Sequence, residues 1–265
     1  MNLFLRELRI HRTGLFFWSL GMIALIVSGM AKFAAYSQAG QSIVGLIAQM
    51  PRSIQILFGL TGFDLTTASG FYGVLFLYIS LMATVHAILI GTDLIAKEER
   101  DKTAEFLFAK PVSRSSIISL KLIAGLANLV IINLVTLVSS IYTVKYFSKS
   151  AAVTQDIVVL MGGLFLLQLI FFGVGAAIAA ASKRPKASPS RATAVLLVAF
   201  MLSFMINFSS KLDSLKYLTP FRYFDAKILL ASGRLDLTYV LISLVIIFTL
   251  GAATYYFYTK RDLSV

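Results

Sequence analysis

Hydrophobic residues along this chain form six long runs separated by short polar segments. Crossing the ~30 Å hydrocarbon core of a bilayer takes about 20 apolar residues in a helix. A helix satisfies its own backbone hydrogen bonds, so runs of this length are predicted to be α-helical. The pattern therefore predicts an all-α polytopic membrane protein, a single transmembrane domain over residues 1–265. The six predicted spans are residues 15–36, 71–95, 117–146, 156–182, 192–210 and 237–258.

Composition agrees with a membrane location. The 265 residues are 58% hydrophobic and 14% charged, whereas soluble domains carry about 25% charged residues. The net charge of +12 is attributed to loops that face anionic lipid and set topology, and not to nucleic-acid binding. There is no cysteine, which excludes thiol ligands, disulfides and thiolate catalysis. His11 and His86 are too few and too far apart in sequence to suggest a metal site, so none is expected.

The distribution of Lys and Arg predicts that both termini are cytoplasmic. An even number of spans places the termini on one side, and the segments on that side are the more basic. The basic loop after the fifth span opposes this trend. Arg6, Arg9 and Arg12 before an apolar run are similar to a signal peptide, but the run is longer than the about 7–15 residues of a signal core. We expect an uncleaved first span. Lys121, one turn into the third span, is expected to extend to the inner face.

Three shorter segments have their own patterns. Residues 1–14 place Phe4, Leu5 and Leu8 on one face, which predicts a helix lying in the membrane interface. Residues 41–60 predict two short amphipathic helices separated by Pro51. Residues 212–232 hold an aromatic cluster around Pro220, which is typical of the headgroup region.

The most distinctive segment is the charged loop between the second and third spans. Residues 97–108 predict a helix outside the membrane, with a Glu98–Lys102 pair at i,i+4. Ser113 is a predicted N-cap of the next helix. Two interpretations stay open on the pattern alone. In the first, Phe106 and Leu107 dock a partner protein. In the second, the loop is a solvated connector whose charges only fix topology.

Residues 98–114 resemble the loop after the second span in type-2 ABC transporter permeases. In that family a Glu, a Thr-x-Glu and a Pro-x-Ser-Arg recur in the coupling helix, which contacts the ATPase subunit. The resemblance implies a coupling helix over residues 96–112. Its implied ATPase contacts are Glu98, Glu99, Thr103, Glu105, Phe106, Leu107, Pro111, Ser113 and Arg114.

Two positions depart from the family pattern. Lys102 stands where Gly is common, and Phe108 where Leu is common. We expect Lys in place of Gly to strengthen the helix. Residues 51–59, 220–225 and 257–263 also resemble segments of this family, so the resemblance covers nearly the whole chain.

The resemblance implies that this chain is the membrane subunit of an ATP-driven transporter, most simply an exporter in the cytoplasmic membrane. It implies an N-terminal interfacial connecting helix, short outer helices before the last span, and two permease subunits, identical or different, working with two ATPase subunits. Arg6 and Arg9 are a possible second ATPase contact. The sequence has no G-x-x-x-x-G-K-[ST] motif, so no cofactor is expected on this chain, and ATP and Mg are expected on the ATPase.

Polar residues within the spans are candidates for a transport pathway. For any single one, an interhelical hydrogen bond is the simpler explanation. The small residues 173–181 are expected to pack helices closely. The candidates retained, on spans that the resemblance places at the subunit interface, are Thr84, His86, Ser203 and Asn207.

Other classes of function fit less well. Glu98-Glu99 is similar to the paired glutamates of an intramembrane protease, but Thr103 occupies the position of the required Arg, so no catalytic residue is expected. A stand-alone channel or secondary carrier would use charges along its spans, which are scarce here, and it remains the alternative. An accessory scaffold ranks third. Apolar walls fit peptides, lipids or amphipathic compounds, and the cargo stays open.

Overall fold

The computed structural model describes residues 3–102, 113–148, 153–208 and 210–260. These residues are mostly helical and contain no strand, which confirms the all-α class. Among them, six helices are long and apolar enough to cross a membrane, as predicted. The six long helices are α1 (Leu3–Ala39), α4 (Ala68–Arg100), α5 (Arg114–Ser148), α6 (Val153–Ala181), α7 (Ser188–Phe208) and α10 (Leu237–Lys260).

Successive long helices alternate in direction, which gives the bundle two ends. The end where α1 begins is called the basal end below, and the opposite one the distal end. Ion pairs join the start of α1 to the end of α4 and the end of α4 to the start of α5, so these termini share the basal end. At the distal end, Ser69 at the start of α4 donates to Asp156 at the start of α6 (2.6 Å).

The closest packing in the bundle is between α4 and α6. A Cβ added to Gly91 would lie 2.3 Å from the Phe172 carbonyl oxygen, and one added to Gly175 would lie 2.3 Å from the Ile88 carbonyl oxygen. Only glycine permits this approach, as small residues do between membrane helices. The packing role predicted for residues 173–181 is therefore confirmed at Gly175.

Short helices cover the distal end. The predicted pair after the first span is present as α2 (Gln41–Gln49) and α3 (Arg52–Leu57). Before the last span lie a 3-10 helix (Ser210–Leu218), α8 (Pro220–Tyr223) and α9 (Ala226–Ser232). Asp225 caps α9 by accepting a hydrogen bond from the Lys227 backbone N–H (2.9 Å), and Gly233 ends it with a φ of 63°. A second 3-10 helix, Pro185–Ala187, precedes α7 at the basal end.

The structure corrects two predicted boundaries. The prediction of a separate helix over residues 1–14 is wrong, because α1 continues from Leu3 to Ala39 without a break. Gly14 does not interrupt it, since one glycine costs a helix only about 1 kcal/mol. In that segment Leu5 is 57% exposed and Glu7 is buried, so Glu7 faces the rest of the bundle.

The predicted start of a coupling helix at residue 96 is also wrong. Helix α4 runs on to Arg100 and ends in a turn at Asp101 and Lys102. Lys102 has a φ of 55°, which a helix interior does not allow, so the expectation that it strengthens the helix is wrong too. Residues 103–112 lie outside the described residues, as do the predicted contacts Thr103, Glu105, Phe106, Leu107 and Pro111.

Candidate functional site

Charged side chains from three helices meet at the basal end, beside the two ends of the loop between α4 and α5. We call this group the basal charge cluster. Buried charges in a membrane bundle are costly and mark functional sites by default. Its members are Glu7 and His11 of α1, Asp93, Lys97, Glu98 and Arg100 of α4, and Lys121 of α5.

The centre of the basal charge cluster is an ion pair between Glu98 and Lys121. The Lys121 ammonium contacts Glu98 Oε2 and also donates to the Leu94 carbonyl oxygen (2.6 Å). Lys121 is fully buried, so the prediction that it extends to the inner face is wrong. The carboxylate and the carbonyl offset part of the cost of removing the Lys121 ammonium from water. Glu98, one of the predicted ATPase contacts, therefore faces α5.

A second buried pair joins α1 to α4. The Lys97 ammonium contacts Glu7 Oε2, and Glu7 is fully buried. His11 Nε2 lies 3.9 Å from both Glu7 Oε2 and Asp93 Oδ2. At the edge of the cluster, Arg100 donates to Asp93 Oδ1 (2.6 Å). Helices α1, α4 and α5 are thus tied at their basal ends by opposite charges.

The described residues at the end of the loop begin α5. Ser113 Oγ accepts a hydrogen bond from the Ser116 backbone N–H (3.2 Å), so the predicted N-cap is confirmed. The exposed Arg114 donates to the Thr259 carbonyl oxygen (3.3 Å) in the last turn of α10. A cation near the C-terminus of a helix is favourable because it offsets the helix dipole. Both residues are exposed at the basal end.

The remaining described candidates at this end differ in exposure. Glu99 is half-buried in the last turn of α4. Arg6 is half-buried and Arg9 is exposed, on the same turns of α1 as the buried Glu7. Arg9 is therefore the more accessible of the two for a partner.

His86 lies against α1 and not against α7, the fifth span. Its ring packs edge-on to that of Trp18, with 5.4 Å between centroids. A cavity of about 150 Å³ is lined by both histidines, Trp18 and Asp93, although sequence separation alone had argued against any such meeting. Within the described ranges there is no group of three or more His, Cys, Asp or Glu residues arranged for a metal ion.

Two of the four pathway candidates, Ser203 and Asn207, lie together at the distal end. They line a cavity of about 130 Å³ between α4 and α7, with Ser80 on the facing helix. Arg222 in α8 bridges this site by donating to Asn207 Oδ1 and to Asp225 Oδ2, both at 2.8 Å. We call this the distal polar cavity.

Thr84, Asn133 and Gln168 have hydrogen-bond partners within the spans. Thr84 donates to the Ser80 carbonyl oxygen of its own helix (2.7 Å). Asn133 of α5 donates to Gln168 Oε1 of α6 (3.1 Å), the interhelical bond expected for isolated polar residues. Thr84 and His86 thus stand apart from the distal polar cavity.

Comparison with known proteins assigns the chain to a family. A family model described as ABC-2 family transporter protein matches residues 1–263. The chain belongs to the ABC-2 transporter family. A search among curated proteins finds no match.

Membership of the ABC-2 family confirms the resemblance of this chain to type-2 ABC transporter permeases. The chain is a membrane permease of an ABC transporter, and its six apolar helices make it a multi-pass membrane protein. The family implies a partnership with an ABC ATPase and contact with membrane lipid. The basal charge cluster was missed because its members lie far apart in sequence: Glu7 and Lys97 are 90 residues apart.

Proposed function

We propose that this ABC-2 permease exports its cargo across the cytoplasmic membrane, using ATP hydrolysed with Mg by a separate ATPase subunit. The basal end faces the cytoplasm, with both termini on that side. The working transporter is a dimer of permease subunits with two ATPase subunits. The basic segments at the basal end and the resemblance of residues 98–114 to a coupling helix support this arrangement.

The observation that carries the proposal is the ion pair between Glu98 and Lys121. Helix α4 leads into the loop at residues 103–112 and α5 leaves it, so the pair joins the two sides of the loop. The pair between Glu7 and Lys97 adds α1. A displacement of the loop by the ATPase would therefore move three spans together.

The energies are consistent with this transmission. Reversing a two-state equilibrium from 1:99 to 99:1 requires about 5.5 kcal/mol. Breaking a buried ion pair by removing one partner costs about 3–5 kcal/mol. Two such pairs in the basal charge cluster would resist separation while a load of this size passes through them.

We assign different roles to the residues of the loop region. Glu98 holds the end of α4 against α5 through Lys121, so it is a positioning residue. The ATPase contact is assigned to Glu99, Thr103, Glu105, Phe106, Leu107, Pro111, Ser113 and Arg114, with Arg9, and less directly Arg6, as a second contact.

The distal polar cavity is the proposed part of the export pathway. Ser203 and Asn207 of α7 face Ser80 of α4 there. We do not extend the pathway to Thr84, whose hydroxyl is used by its own helix, or to His86, which packs on Trp18.

The test uses the complex of full-length permease and ATPase reconstituted in nanodiscs. The native permease is expected to change the ATPase rate from that of the ATPase alone. Glu105→Lys and Arg114→Glu should restore the rate of the isolated ATPase while the permease stays folded. Lys145→Glu, a charge reversal at the distal end of α5, is the matched control and should behave as the native chain. Native rates in both loop variants would sink the assignment.

A further inference from the structure

A large cavity lies between the distal halves of α1 and α4, beside α3 and its flanking residues. It measures about 580 Å³, within the range of about 300–1,000 Å³ that is typical of ligand sites. Its walls include Leu25 of α1 and Val74 of α4, and Ile54 and Phe58 line it from α3 and the residue after α3. Most of the lining is apolar, so the cavity suits a hydrocarbon chain. We call it the α1–α4 cavity.

The distal cover of the α1–α4 cavity is held in place by a side chain. Gln55 Nε2 donates to the Ile47 carbonyl oxygen (3.0 Å) and to the Met50 carbonyl oxygen (2.9 Å). These bonds fix the corner between α2 and α3 above the cavity. A site whose walls are fixed before binding loses less entropy when a ligand enters.

A few polar residues also line the cavity. Among the lining residues that the structure describes, Lys32 carries the one charge. Lys32 is exposed in the last turns of α1 and has no carboxylate partner within the described ranges. Tyr36, one turn further along α1, lines the same cavity. A lysine and a tyrosine hydroxyl can both donate to an anionic oxygen.

Asp64, the acidic residue adjacent in sequence to the cavity lining, forms no ion pair with Lys32 within the described residues. Asp64 precedes the lining residue Leu65, but its carboxylate accepts from the Thr66 backbone N–H (2.9 Å) and from Thr66 Oγ1 (2.6 Å). These two hydrogen bonds hold the pKa of Asp64 below its usual value. The Lys32 ammonium is therefore available to an anionic ligand.

We propose that the α1–α4 cavity binds an anionic membrane lipid, with an acyl chain against Leu25 and Val74 and the phosphate beside Lys32. The depth is consistent with this orientation. Helix α1 has 37 residues, a length of about 55 Å at 1.5 Å per residue, which exceeds the ~30 Å hydrocarbon core. The predicted first span ends at residue 36, so Lys32 lies about one turn from its distal end, from which a lysine side chain can extend to headgroup level. This site does not depend on the proposed export function.

The experiment is native mass spectrometry of the delipidated full-length chain in mild detergent. The probes are phosphatidylglycerol and phosphatidylcholine with identical acyl chains. The native chain should retain phosphatidylglycerol about fivefold better, because one basic residue near an anionic lipid contributes about 1 kcal/mol and 1.4 kcal/mol is tenfold in affinity. Lys32→Gln should remove this preference, whereas Lys145→Gln, an exposed lysine at the distal end of α5, should keep it.

A second variant tests the cavity itself. Val74→Trp fills the space between α1 and α4 and should lower the retention of both lipids, with an unchanged elution profile as the check on folding. If that variant does not fold, Lys32→Gln still tests the lipid preference, because it alters only an exposed side chain. Equal retention of the two lipids by the native chain, or an undiminished preference in Lys32→Gln, would overturn the proposal.

Discussion

Lys121 and Glu98 form an ion pair inside the basal end of the bundle, with side-chain exposures of 0% and 5%. They join the helix that enters the loop at residues 103–112 to the helix that leaves it. The cost of desolvating two charges is offset only while both are present. The packing of α4 against α5 at the basal end therefore depends on this ion pair.

Removing one member of the pair is expected to destabilise the protein strongly. Lys121→Met removes the buried cation that contacts Glu98 Oε2, and the expected loss is about 3–5 kcal/mol in the free energy of unfolding. The double variant Lys121→Met with Glu98→Gln should recover most of this loss, because no buried charge remains unpaired. Equilibrium unfolding in mixed micelles measures both. A double variant no more stable than the single one would contradict the pairing.

The close contact between α4 and α6 predicts that a larger residue at Gly175 destabilises the protein. Gly175→Ala places a methyl group 2.3 Å from the Ile88 carbonyl oxygen and should cost about 1–3 kcal/mol through overpacking. Gly251→Ala in α10 is the control, since a Cβ there meets no atom within 4 Å. It should be neutral or stabilising by up to about 1 kcal/mol, because alanine is the better helix former. Thermal unfolding of the two variants tests this prediction. Equal melting temperatures would refute the close approach of α4 and α6 at Gly175.

Lys102 follows the end of α4 with a left-handed backbone, φ 55°. That conformation costs a residue with a Cβ about 1–2 kcal/mol, and glycine adopts it readily. We therefore expect Lys102→Gly to be about 1 kcal/mol more stable than Lys102→Ala. The two variants are compared by the same micelle unfolding assay. Lys102→Ala matching Lys102→Gly would show that the turn is not left-handed in the membrane.

The second ATPase contact is best tested by point substitution. Deleting residues 2–12 would also remove Glu7, which pairs with Lys97, and would confound contact with packing. Arg9→Glu alters an exposed side chain and should weaken co-purification of the ATPase without changing the melting temperature. Arg12→Glu, exposed one turn further along α1, should have the smaller effect. If the Arg9→Glu variant bound the ATPase as well as the native chain, Arg9 would not be an ATPase contact.

The sequence predicts those features that depend on local pattern. The six spans follow from apolar length, and Ser113 as an N-cap follows from its position before α5. Glycines in residues 173–181 indicate close packing, but only the structure identifies Ile88 as the neighbour of Gly175.

The missed features depend on which helices are neighbours. Neither the pair of Glu7 with Lys97 nor that of Glu98 with Lys121 can be derived from spacing, because each joins different helices. A lysine one turn inside a span is compatible with solvent exposure or with a buried partner, and the pattern does not distinguish them. The same limit applies to His11 and His86, which meet only because α1 packs on α4.

The proposed function requires an ATPase bound at the basal end of this permease. The most direct measurement is a mild-detergent pull-down of the tagged chain from its native host, followed by mass spectrometry and an ATPase assay. We expect a Walker-type ATPase to co-purify with the native chain and to be lost with Glu105→Lys or Arg114→Glu. A folded chain that brings down no ATPase would contradict the account and favour a stand-alone channel or carrier.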